Sequence, residues 1–103
     1  MRYAARLDEL PEDGLHVVTL DGERICLARV GDEVYAMSDV CTHQEFAMSD
    51  GLLLPGARIE CAWHGAVFDC RTGAVCRAPA TEPLPVYAVE VRDGVVWVGE
   101  RLP

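Results

Sequence analysis

The chain has 103 residues, half of them hydrophobic, with 17 Asp and Glu against 9 basic residues that are all Arg, and a formal net charge of -8. A chain of this length buries one modest core and has no room for separate cofactor and substrate domains, so residues 1–103 are expected to form a single domain. The acidic balance argues against nucleic acid or an anionic membrane surface as a partner, because phosphate recognition needs clustered Lys and Arg.

The N-terminal stretch is interrupted by Arg2, Arg6, Asp8, Glu9, Glu12 and Asp13. It has no apolar run of the kind a secretory signal peptide requires, so a cytoplasmic location is expected. The longest stretch free of Asp, Glu and Arg is Cys61 to Phe68, far short of the ~20 apolar residues that span a bilayer. In chain order, strands are predicted at Gly14 to Leu20, Glu23 to Val30, Glu33 to Ser38, Arg58 to Cys61, Ala66 to Asp69, Val86 to Arg92 and Val95 to Gly99. Asp21-Gly22, Gly31-Asp32 and Asp93-Gly94 are two-residue turn signals between apolar runs, which marks β-hairpins. Tyr87, Val89 and Val91 alternate with Ala88, Glu90 and Arg92, the period of a strand with one buried face. No window keeps a helical period. The fold class is therefore all-β and antiparallel, a sandwich or a barrel. Asp39 to Ala57, Ala62 to Gly65 and the proline-rich Ala78 to Pro85 escape the pattern and read as loops. The first is long for a compact domain, as functional loops often are.

Those loops hold the chemistry. Cys41-Thr42-His43 is followed, after 17 residues, by Cys61-Ala62-Trp63-His64, giving C-x-H, a long spacer, then C-x-x-H. Each half offers one soft sulfur and one nitrogen ligand at a spacing that lets a single loop present both. Gly51 and Gly65 lie where the backbone must turn sharply or approach something closely. Two readings fit the donor set, an iron-sulfur centre or a tetrahedral zinc site. Spacing disfavours zinc, whose modules usually begin with a C-x(2-4)-C pair.

The pattern resembles the Rieske family, whose 2Fe-2S cluster has one iron held by two Cys and the other by two His. Cys61 to Gly73, read C-A-W-H-G-A-V-F-D-C-R-T-G, and Cys41 to Gly51 with its Met48-Ser49-Asp50-Gly51 ending, resemble the Rieske ferredoxins of multicomponent bacterial oxygenases. The resemblance runs over nearly the whole chain, with residues 39–85 as the cluster-binding part. It implies an antiparallel Rieske-like β-sandwich with the cluster between two loops at one tip, beside a proline loop at Pro79. It implies Cys41 and Cys61 on the inner iron and His43 and His64 on the outer one, with Gln44, Glu45 and Pro79 on the rim.

The implied function is that of a soluble one-electron carrier with no catalytic residues of its own. It would take electrons from an NAD(P)H-dependent flavin reductase and pass them to a terminal, aromatic-ring-hydroxylating oxygenase, and would act as a monomer. An oxygenase site in the chain itself is excluded, because once His43 and His64 hold the cluster only His16 remains for a two-His, one-carboxylate iron. Two rivals are a fixed small subunit of a nitrite-reductase-like complex and a zinc-stabilised interaction module without redox chemistry. High-potential family members join their ligand loops by a disulfide and place Ser and Tyr hydroxyls after the second motif. Here Phe46 and Trp63, and then Ala66 and Phe68, stand at those positions. A reduction potential at the low end of the Rieske range follows.

The other notable residues read as structural. Cys26 is expected to be a small buried hydrophobe, His16 an ordinary strand residue and Trp63 a shield against water. Cys70 and Cys76 flank the Arg71-Thr72-Gly73 turn, where they could face each other across a hairpin, but a reducing compartment disfavours a disulfide. Residues 1–50 carry 11 acidic and 4 basic residues against 6 and 5 in the remainder, so the N-terminal half is expected to dominate the electrostatic field.

Overall fold

The computed structural model describes residues 1–42, 46–62, 65–78 and 80–103. The described chain is antiparallel β throughout, with two short 3-10 turns at Leu7–Glu9 and Met48–Asp50. Its strands are β1 (Arg2–Arg6), β2 (Gly14–Leu20), β3 (Glu23–Val30), β4 (Glu33–Ser38), β5 (Leu52–Leu54), β6 (Arg58–Glu60), β7 (Val67–Asp69), β8 (Val75–Arg77), β9 (Val86–Arg92) and β10 (Val95–Arg101). They form a six-stranded sheet in the order β1-β10-β9-β4-β3-β2 and a four-stranded sheet in the order β5-β6-β7-β8.

The three hairpin turns form where the dipeptides place them. Asp21 and Gly22 both have positive φ (51° and 83°), as do Asp93 and Gly94 (51° and 73°), the conformation a tight type I′ hairpin demands. The large sheet curls until its edge strands β1 and β2 come into contact, and Arg2 of β1 bonds Asp21 at the end of β2 at 2.9 Å. Ala5, Ile25, Leu27, Val34, Ala36, Val96 and Val98 pack together as one core. A second core lies between the sheets and contains Cys26, Ala28, Met37, Met48, Ile59, Phe68, Leu84 and both motif cysteines. β3 therefore buries both faces, Ile25 and Leu27 in the first core and Cys26 and Ala28 in the second, which is why it reads as a continuous apolar run. Each large side chain in these cores contributes roughly 1.5–3 kcal/mol.

Three strands lie where sequence reasoning saw none. β1 is an edge strand with a register break between Tyr3 and Ala5, and the bulge destroys the period of two that would have announced it. β5 lies inside the segment read as a loop. It has no alternation because its residues are three leucines, with Leu52 exposed at 62%. β8 has three residues and pairs with β7 across a further register break. The register of this pair bears on Cys70 and Cys76. Phe68 pairs with Val75 and Val67 with Arg77, so Cys76 is not opposite Cys70; Cys70 is buried in the inter-sheet core, Cys76 is exposed, and both thiols are free.

Candidate metal centre

The first motif begins where β4 ends. Asp39 anchors the loop that follows: its backbone N–H donates to the Arg24 carbonyl (3.0 Å), and its carbonyl accepts the Met48 N–H (2.6 Å). Its carboxylate, fully buried, accepts the Ser49 N–H at 2.7 Å and the Arg24 guanidinium at 2.5 Å. Val40 and Ala47 form an antiparallel bridge, and the Cys41 N–H donates to the Phe46 carbonyl at 3.0 Å. The two sides of the loop are thus tied together at its neck, Val40-Cys41 against Phe46-Ala47.

The second motif has the same closure. It joins β6 to β7, and the Cys61 N–H donates to the Ala66 carbonyl at 2.8 Å. In both loops the cysteine stands first and its N–H is satisfied by the carbonyl five residues on. Both cysteines are buried, 3% and 1% exposed, within the same inter-sheet core. The loops are drawn together at Gly51, where a Cβ would lie 1.9 Å from the Glu60 carbonyl oxygen; only glycine lets the end of the first loop come this close to the residue before Cys61. Gly65 has φ +69°, the left-handed conformation that glycine adopts without strain. The proline-rich segment completes the end of the molecule. Thr42 Oγ1 donates to the Glu82 carbonyl (2.9 Å) and the Leu84 N–H to the Gly73 carbonyl (2.8 Å).

His43 and His64, the other two residues of the expected ligand set, lie outside the described residues, as do Gln44, Glu45, Trp63 and Pro79. The described part suits an iron-sulfur group: two buried sulfurs are delivered by two loops of matching closure to one packed region. The same core also holds Cys26 and Cys70. Burial pushes the Cys26 thiol well up, with Asp39 and Cys70 adding to the effect, and burial likewise pushes Cys70 up to about 12, with Asp69 adding. Burial thus disfavours the thiolate form of both, and neither belongs to the C-x-H or C-x-x-H pair.

Five of the eleven acidic residues of the N-terminal half gather elsewhere. Asp13 Oδ1 accepts the Gly31 N–H (3.2 Å) and the Leu7 N–H donates to the Gly94 carbonyl (2.8 Å), so Asp8, Glu9, Glu12, Asp13, Asp32 and Asp93 share one end of the molecule. β4 leads from that end to the loop of Cys41, and a strand of its length spans roughly 17–20 Å. That acidic group therefore lies at the end opposite the motif loops, whereas Asp21, Glu23, Asp39 and Asp50 lie on the elements that adjoin the Cys41 loop.

The chain matches the Rieske [2Fe-2S] domain family over residues 2–88. It belongs to that family. Its cofactor is accordingly a Rieske 2Fe-2S cluster, and the resemblance read from Cys41 to Gly51 and Cys61 to Gly73 is borne out at the level of family and fold. The ferredoxin subunit of anthranilate 1,2-dioxygenase from Burkholderia cepacia is 39% identical over 92 residues, which cover 89% of this chain and 84% of that protein. The ferredoxin of carbazole 1,9a-dioxygenase from Nocardioides aromaticivorans IC177 superposes with a TM-score of 0.90 at 33% identity, covering 95% of each chain. A ferredoxin chain in a complex of reduced oxygenase and oxidised ferredoxin of carbazole 1,9a-dioxygenase superposes at 0.88 with 35% identity, covering 98% of this chain and 95% of that one. None of the described helical turns is long and apolar enough to cross a membrane.

Proposed function

We propose that this chain is a single-domain, monomeric cytoplasmic ferredoxin that holds its cluster through Cys41, His43, Cys61 and His64. In this reading it carries one electron at a time from an NAD(P)H-dependent flavin reductase to a terminal ring-hydroxylating oxygenase. The observation that carries this reading is the pair of buried cysteines opening two loops of identical closure, in a chain whose relatives are ferredoxins of dioxygenase systems. When bound, the cluster supplies reversible one-electron chemistry. The chain's part is to exclude water around Cys41 and Cys61 and to hold the loops so that little moves when charge arrives. Four protein ligands leave no coordination position for a substrate, which suits a carrier rather than a catalyst.

The surroundings favour a low potential. Ala66 and Phe68 are both fully buried and bring no hydroxyl toward the cysteines. The N–H groups of Cys41 and Cys61 are themselves directed to carbonyls. With no hydroxyl at Ala66 or Phe68 to stabilise the more negative reduced state, the midpoint is expected near the lower end of the Rieske span, about -150 mV. A redox titration checks this, and a midpoint well above zero contradicts it.

The shuttle reading is tested by stopped-flow reduction with the reductase across a salt series. An acidic carrier meeting a basic docking surface should be reduced more slowly as salt rises, since charges separated by more than about 8–10 Å are screened at physiological strength. A rate independent of salt, or elution only as a tight complex with a large subunit, would replace the shuttle with a fixed electron-transfer subunit.

A further inference from the structure

The second motif loop is fastened by a residue that is not part of either motif. Glu60, Val67 and Arg77 form a row across β6, β7 and β8, because Val67 is paired with both of the others. Neighbouring strands lie about 4.8 Å apart, so the backbones of Glu60 and Arg77 are separated by roughly 10 Å. Two long side chains close that gap. Arg77 Nη2 is ion-paired with Glu60 Oε2 across the row, and Arg77 Nε donates to the Gly65 carbonyl at 2.9 Å. The two anchors bracket the motif, since Glu60 immediately precedes Cys61 and Gly65 immediately follows His64. One guanidinium therefore fastens both ends of the loop that begins with Cys61. Arg92, by contrast, is ion-paired with Glu90 of its own strand.

The geometry points to Arg77 as a positioning residue of the cluster centre, one that fixes the spacing between the two ends of the second ligand loop. This rests on the reading of Cys61 and His64 as ligands. The planar fork of arginine suits the task, because its separate N–H groups reach a carboxylate and a carbonyl at once, whereas the compact ammonium of lysine cannot reproduce that fork. Groups that orient metal ligands without touching the metal typically change metal affinity by 10–100-fold when removed. The ion pair itself is partly exposed, with 56% of the Arg77 and 27% of the Glu60 side chain accessible, so its loss should have only a small effect on global stability.

The test measures release of the cluster to an iron chelator, and the EPR line shape of the reduced protein, in wild type, Arg77→Ala, Arg77→Lys and the comparator Arg92→Ala. Arg77→Ala is expected to release its cluster about 10-fold faster, with broadened EPR lines that report a spread of ligand geometries. Arg77→Lys should recover only part of the wild-type lifetime, and Arg92→Ala should match wild type. If Arg77→Ala fails to fold, Glu60→Gln removes one anchor while leaving the Gly65 bond, and is expected to release the cluster at an intermediate rate. Wild-type release rates and line shapes in Arg77→Ala, or in Glu60→Gln where the former does not fold, would overturn the assignment. The underlying ligand reading fails by a different result, a Cys61→Ser protein that keeps its cluster.

Discussion

Cys41→Ser and Cys61→Ser proteins are each expected to be purified without the 2Fe-2S cluster, colourless and without its visible absorption. The expectation follows from where the two sulfurs are. Both are buried in the inter-sheet core and each opens a loop closed by its own N–H, so each sulfur is fixed in place by its own loop. Cys76 is exposed on β8, and Cys26 and Cys70 stand outside both motif loops. Serine preserves size and hydrogen bonding but is a far poorer ligand for iron, which separates loss of ligation from loss of fold. Cys26→Ser and Cys70→Ser serve as the comparison: they should cost stability through an added buried hydroxyl yet retain colour. A single-serine variant at Cys41 or Cys61 with full iron content would contradict the ligand assignment.

Asp39→Ala is expected to lower stability by about 2–3 kcal/mol, measured as a shift in the denaturant midpoint at unchanged slope. The buried carboxylate accepts the Ser49 N–H and the Arg24 guanidinium, and truncation leaves the Ser49 donor without its charged acceptor. Arg24 is about half exposed and regains water when its partner is lost, so the ion pair contributes less than burial of Asp39 alone would suggest. Asp39→Asn separates the two contributions, because an amide oxygen can still accept from Ser49 while the charge is gone; it should fall between wild type and Asp39→Ala. Because the same residue closes the neck of the Cys41 loop, Asp39→Ala should also load less cluster. Wild-type stability in Asp39→Ala would show that the loop is held by its backbone contacts alone.

The parts of the fold legible in the sequence are those fixed by local chemistry. The Asp-Gly and Gly-Asp turns demand positive φ and placed the hairpins of β2, β3, β4, β9 and β10. Strands β1, β5 and β8 escaped because their signals are not local: a bulge at Tyr3, a leucine triplet at the edge of a small sheet, and a three-residue strand defined by its register with β7. The site was legible in part for the same reason. C-x-H and C-x-x-H are patterns of ligand chemistry and can be read directly. Asp39, Arg24 and Arg77 act through contacts between residues 10 to 17 positions apart, and no spacing along the chain reveals such a contact. Asp39 could have been suspected as a lone acid between the apolar end of β4 and Val40-Cys41, where a charge needs a partner if it is buried. Arg77 offers no such hint, being one of several arginines on an acidic surface.

Chemical analysis of anaerobically purified wild-type protein, read together with EPR of its dithionite-reduced form, bears most directly on the claim that this chain is a Rieske-type carrier. The account predicts two irons and two acid-labile sulfides per chain, with the low-field-shifted signal that mixed Cys and His ligation produces. One zinc per chain, with no sulfide and no such signal, would contradict it.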